Sequence, residues 1–285
     1  TTSFGSATIG STNTTPQTFG TCWYAGEYAP LSVTGTGTYE FSSSISTDYL
    51  TLSDTNGVPI ISGTTPLLVQ INTATNYQLH VFSDNNCSTQ NSCRALSGVA
   101  LVPLCGTYTI NGSSPTSGTN FNSFSDFANQ LNLLGISCAV SVNVAAGTYM
   151  DAFTLASIVG TSQTNTITID GQDSSLVMVE YSSSTQNAAI LLDNADFVTI
   201  KNMSIKHSGT SDSWGIRMMN DNDHLMVDHV QFNMAPVSGS VDVDAIGATG
   251  SSTSGFTETE AGDSIMIMNC SFVQGGVGVH IETSN

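Results

Sequence analysis

Three segments of the chain superpose without a gap: VTIKNMSI at Val198–Ile205, LMVDHVQF at Leu225–Phe232 and IMIMNCSF at Ile265–Phe272. Ile200, Val227 and Ile267 align, then Met203, Val230 and Cys270, then Ile205, Phe232 and Phe272. Between the two apolar pairs stands Asn202, His229 or Asn269, where a strand must turn a corner. The segment Ile167–Gly171 (ITIDG) reads as an earlier copy, and with Ile169, Ile200, Val227 and Ile267 as markers the offsets are 31, 27 and 40 residues. Such repeats keep a strand motif constant and place the length variation in loops. One copy cannot bury its own apolar row, so neighbouring copies must stack. The pattern predicts a right-handed parallel β-helix from about Val140 onward.

Upstream of the repeats the chain changes character twice. Ser123, with Asp126 three residues on, resembles a helix-capping pair, and Phe124, Phe127, Ala128, Leu131 and Leu134 share one helical face before Gly135 ends it. A single amphipathic helix directly ahead of a solenoid is expected to cap its first coil and cover a strand edge. Between Asn111 and Asn122 the composition shifts to Gly, Ser, Pro, Thr and Asn, so residues 106–122 read as a linker. Residues 1–105 read as short strands at regular turn spacing, a β-sandwich. Leu50 and Leu52 face one way, Asn56-Gly57 signals a hairpin, and Tyr77, Leu79 and Val81 alternate with Gln78, His80 and Phe82. The expected fold is therefore all-β: a sandwich over 1–105, then a helix-capped parallel β-helix over 123–285. The last strand, Val277–Ile281, has nothing after it, which leads to the expectation that the natural polypeptide continues.

Charge narrows the functions. The chain has 22 acidic and 4 basic residues, a net charge of −18. Arg94, Lys201, Lys206 and Arg217 are the entire basic set, too few and too scattered to neutralise a polyphosphate backbone or an anionic lipid surface. No apolar run reaches the roughly 20 residues of a membrane helix, so direct membrane insertion is not expected. The six cysteines lack the paired short spacing of a zinc site. They read instead as disulfides, Cys87 with Cys93 closing a local loop and Cys22 with Cys105 tying the ends of the first domain. The pairing of Cys138 and Cys270 is left open. An oxidising, non-cytosolic location follows.

The segments Phe124–Phe127, Asn143–Tyr149 (NVAAGTY) and Thr166–Gly171 (TITIDG) resemble the start of the β-helix in very large secreted surface proteins of Bacteroidota. Tyr39–Leu50, with Cys87 to Cys93 and Arg94, resembles a sandwich module found beside it in those proteins. The resemblance implies type IX secretion and a role in adhesion, gliding or surface appendages.

β-Helices also carry polysaccharide lyases and hydrolases, but 17 acids against Lys201, Lys206 and Arg217 in the expected solenoid would repel a polyuronate. Asp242 with Asp244, and Asp221 with Asp223, mimic the paired carboxylates of a hydrolase, and Gly278-Val279-His280 stands where a Gly-His-Gly motif would. Turn positions explain these acids as well. Asp221, Asp223, Asp242 and Asp244 also offer oxygen ligands on candidate loops, so calcium is the one cofactor weighed, against acids that are merely solvated. His229 is expected to stack in a polar corner ladder, Cys270 to be a small buried hydrophobe, and Trp23, Tyr24 and Tyr28 to be core rather than a sugar platform. The reading is a non-enzymatic structural or adhesive segment of a secreted surface protein, whose partners are other copies of itself or cell-surface glycans. A carbohydrate-binding module or a β-helix polysaccharidase is the alternative.

Overall fold

The computed structural model describes residues 3, 5–181, 187–207, 212–236, 243–251, 257 and 259–281. They fall into two compact units, Thr1–Val102 and Pro103–Asn285.

The first unit is a sandwich of two sheets. One has five strands in the order Ala7–Ile9, Tyr28–Val33, Asn76–Phe82, Tyr49–Ser53, Pro59–Thr64. The other has four: Gln17–Ala25, Gln90–Leu101, Gly37–Ser43, Leu67–Ile71. Period-two alternation builds the core, as in Leu67–Ile71, where Leu67, Val69 and Ile71 are buried and Leu68 and Gln70 exposed. Trp23, Tyr39, Phe41, Leu50, Leu52, Leu79 and Val81 pack in one cluster. The hairpin at Asn56-Gly57 forms, but only Gly57 adopts a left-handed φ (82°). Asp54 does the rest, its carboxylate accepting from the backbone N–H of Asn56 (2.9 Å) and of Val58 (2.8 Å). One buried polar pair braces the unit. Arg94 Nε donates to Asp48 Oδ2 at 2.6 Å, both side chains being at most 1% exposed. Ser43 Oγ donates to the same oxygen, and the guanidinium also donates to the Ser92 carbonyl and the Gln90 side chain. These bonds offset the cost of burying the charges, and all of those on Asp48 fall on Oδ2, leaving its buried Oδ1 without a partner among the described residues.

The expected disulfides do not form. Cys22 pairs with Cys93, and Cys105 with Cys138. The first bridge joins neighbouring antiparallel strands, where Trp23 lies opposite Arg94. The second joins neighbouring parallel strands, Leu104–Ile110 and Ile136–Val144. Closeness along the chain favours Cys87 with Cys93, but strand pairing brings Cys22 to Cys93 and leaves Cys87 exposed and free in its turn. Each bridge lies within one unit.

The boundary falls between Val102 and Pro103, and the stretch expected to be a linker belongs to the solenoid. Leu104–Ile110 and Asn120–Phe121 are rungs of its first sheet, whose order continues through Ile136–Val144, Ile167–Asp170, Val198–Lys201, Met226–Asp228 and Met266–Met268. The second sheet stacks Gly147–Met150, Val177–Tyr181, Ser204–His207, Gln231–Met234 and Ser271–Val273. The third stacks Phe153–Leu155, Ala188–Asp193, Ser213–Met219, Val243–Ala248 and Val277–Ile281. Every pairing in the three is parallel, and the chain visits them in rotation, which makes a parallel β-helix of about five turns. The repeat markers fall in register: Ile169 opposite Ile200, Ile200 opposite Val227, Val227 opposite Ile267, and Ile205 opposite Phe232 opposite Phe272. Met203 and Val230 are fully buried, whereas Cys270, in the last coil, is only half-buried.

The helix Phe124–Leu134 seals the first coil. Ser123 accepts the Asp126 N–H at 3.0 Å, and Gly135 takes a left-handed φ of 68° to end the helix. A side chain there would collide with the Val159 backbone. The five residues expected on one face are all buried. Phe124 packs against Phe153 and Tyr149, with ring centroids at 5.1 and 5.2 Å. The helix also satisfies the free edge of the third sheet. Asn132 donates to the Thr154 carbonyl (2.8 Å) and accepts the Ala156 N–H (3.0 Å), which blocks that edge against further strands.

Candidate functional site

Polar chemistry on the solenoid is concentrated at its corners. Asn202, His229 and Asn269 each adopt a left-handed φ of 54, 51 and 51°, so the residue shared by the three repeats is a corner residue, as expected. Asn and His tolerate that conformation better than branched residues do. The two asparagine side chains then bond to the neighbouring coil, whereas the His229 ring, expected in the same ladder, meets the aspartate next to it in its own coil. Asn202 donates to Asp170 Oδ1 and Asn269 to Asp228 Oδ1, both at 2.8 Å, while His229 Nδ1 lies 2.8 Å from the same Asp228 oxygen. Beside this row Asp170, Lys201 and Asp228 stand in register, and Lys201 Nζ is 3.0 Å from Asp170 Oδ2. Burial pushes the Asp170 pKa up, but bonds from Asn202, the Gln172 backbone and Lys201 outweigh it and hold it below the usual carboxylate value. Asp228 is held low chiefly by the Asn269 amide.

A second corner is acidic. Asp196 accepts the Asp223 N–H (2.9 Å), and Asp223 accepts the Asp263 N–H (2.6 Å), so one carboxylate per coil stacks on the next. Within it Asn222 is fully buried and accepts the Ala195 N–H at 2.9 Å. Phe197 and His224 stack beside them, 4.5 Å between centroids. Asp221 projects here with a left-handed φ of 66°. Its pKa is raised, first by desolvation and then by the charges of Asp223, Glu260, Asp196 and Asp263. The ladder is tied by backbone N–H donors.

Of the four expected calcium ligands, the three described ones stand at two places in the solenoid. Asp221 and Asp223 share this corner. Asp244 lies in the third sheet, 1% exposed, with its Oδ2 3.5 Å from His280 Nδ1. Asp242 lies outside the described residues. Among the described residues no three His, Cys, Asp or Glu side chains converge to hold a metal ion. The Asp244–His280 pair joins two segments that the sequence reading kept apart, since Asp244–Ala248 and Val277–Ile281 are adjacent rungs. Nearby in the same sheet Arg217, 5% exposed, lies over the Trp214 ring at 5.7 Å and donates to the Thr249 carbonyl. Burial pulls its pKa down, against the opposing charge of Asp193. Such a wall can hold an imidazole and a carboxylate in contact, but it keeps the carboxylate from solvent.

The ladder partners Asp196 and Asp263 went unrecognised in the sequence, although the signal is present. Asp196 to Asp223 spans 27 residues and Asp223 to Asp263 spans 40, the same offsets as the apolar markers. Extending that alignment to the loops would have placed them on one edge. The Asp48–Arg94 pair leaves no comparable trace, because it joins positions 46 residues apart in a unit without repeats.

No protein-family model matches the chain, and no curated protein matches it either. Among the described residues no helix is long and apolar enough to cross a membrane.

Proposed function

We propose that the chain is a non-enzymatic scaffold segment of a secreted bacterial surface protein, an adhesin or filament-like appendage. The observation that carries this reading is the in-register ladder: apolar rows inside and polar rows at two corners run from coil to coil. Nearest-neighbour stacking of this kind spreads stability evenly along a solenoid, which suits an element that must persist outside the cell. Two disulfides, one in each unit, support an oxidising compartment. The strong negative charge favours solubility there, and four basic residues leave few sites for trypsin-like proteases. The resemblance to large Bacteroidota surface proteins extends the proposal to type IX secretion, with other copies or surface glycans as partners.

Immunogold electron microscopy on producing cells is the test. Label on a surface layer, stalk or filament is the expected result. Label confined to the cytoplasm would overturn the reading. So would release of reducing sugar or of unsaturated products from polysaccharides by the purified protein.

A further inference from the structure

We propose that the outer face of the five-stranded sheet in the sandwich is a binding site for an uncharged carbohydrate. The proposal deepens the adhesive half of the reading above and rests on it. Strands Ala7–Ile9, Tyr28–Val33 and Asn76–Phe82 lie side by side, and a groove of about 390 Å³ runs along them. That volume is at the lower end of small-molecule sites, roughly 300–1,000 Å³, and suits one or two sugar rings.

The lining chemistry selects the ligand. Thr8, Tyr28, Pro30, Ser32, Asn76 and Gln78 contribute to the groove, and among the described residues no Asp, Glu, Lys, Arg or His does. Asp54, next to the groove residue Thr55, spends its carboxylate on its own turn. An anionic ligand would therefore meet no cation, in a chain of net charge −18. A cationic ligand would meet no carboxylate. An extended peptide would add to the free edge of Ala7–Ile9, the outermost strand of this sheet, whereas the groove residues Tyr28, Pro30, Ser32, Asn76 and Gln78 stand on the two strands inside it. A neutral saccharide needs what is present: hydroxyl and amide groups for its hydroxyls, and a flat apolar surface for the C–H face of a ring.

The parts are also held in place before binding. Tyr28 is half-buried, with its ring 5.1 Å from His80, which stacks in turn on Phe82 at 6.2 Å. His80 is anchored by Ser53 Oγ, 2.9 Å from its Nε2. Gln78 Nε2 donates to the Thr55 carbonyl at 3.2 Å, which fixes the amide and leaves its oxygen to accept. Thr8, Ser32 and Asn76 make no side-chain hydrogen bond among the described residues, so they lose none when a sugar arrives. A site ordered in advance loses less entropy on binding.

The test applies the full chain to an array of neutral, sialylated and sulfated glycans, followed by titration calorimetry with the best neutral mono- or disaccharide. Retention of neutral glycans is expected, with an affinity that stays constant over a roughly tenfold change in ionic strength. Asn76→Ala and Gln78→Ala, at exposed and half-buried positions, should each weaken binding about tenfold or more, while Tyr28→Phe keeps most of it and Tyr28→Ala does not. Unchanged Trp23 fluorescence checks that each variant is folded. A blank array, a preference for acidic glycans, or binding untouched by Asn76→Ala and Gln78→Ala would overturn the site. Surface label in the microscopy above, together with a blank array, would remove the sugar site alone and leave the scaffold standing.

Discussion

Asn202 and Asn269 show how one residue position serves both backbone and stack. A left-handed φ costs an ordinary L-residue roughly 1–2 kcal/mol, and a short polar side chain recovers part of that by bonding to the neighbouring coil. Asn202→Gly keeps the backbone and loses only the bond to Asp170, at an expected cost of about 1 kcal/mol. Asn202→Ala loses both and should be less stable than the glycine variant by about 1 kcal/mol more; urea unfolding of the two variants gives the comparison. Two buried histidines set a pH dependence. His80 and His207 have pKa values lowered by burial, so the unfolded chain binds protons more readily than the folded one. Their contribution is therefore complete above the ordinary histidine value of about 6.5 and is lost as pH falls through it. Thermal midpoints should drop between about pH 7.5 and pH 5.5, and a flat profile over that window would contradict the assignment. Asp170 and Asp228, held low, add a further loss only below about pH 4.

Among the elements, the helix Phe124–Leu134 was legible almost to the residue, because capping and amphipathic spacing are local signals. Its partners were not. That Asn132 closes the edge at Thr154 and Ala156, or that Phe124 meets Phe153, depends on where the first coil passes. Ser123→Ala should cost about 1 kcal/mol through the lost cap. Leu131→Ala, in a fully buried site, should cost about 2–5 kcal/mol. Asn132→Ala is expected to do something different: little change in unfolding midpoint, but faster self-association by light scattering, because an unsatisfied strand edge recruits other strands. The linker reading of 106–122 failed for a related reason. Gly, Ser and Asn in this stretch make the turns between two short rungs, and composition alone does not distinguish a turn-rich coil from a tether.

At the scale of the whole molecule, charge is divided unevenly. Thr1–Val102 holds five acids and one base, and Pro103–Asn285 holds 17 acids and three bases. The stacked Asp196, Asp223 and Asp263 concentrate like charge further, so salt should raise the unfolding midpoint of the solenoid more than that of the sandwich. The two tryptophans make this measurable, since Trp23 is buried in the sandwich and Trp214 in the solenoid. Fluorescence of Trp214→Phe and Trp23→Phe variants reports each unit separately, and equal salt responses would contradict the charge assignment. By itself the sequence determined the winding of the second unit, its register and its corner residues. In a solenoid each coil contacts only its neighbours, so spacing along the chain becomes position in the stack. It also determined the helix and the alternating faces of the sandwich, which depend on near neighbours. Only the tertiary structure decided which cysteines pair, that Asp48 meets Arg94, that Asp244 meets His280 rather than Asp221, and that an uncharged groove lies across three strands. Those contacts join residues whose separation in sequence follows no period, and nothing but the folded path brings them within reach.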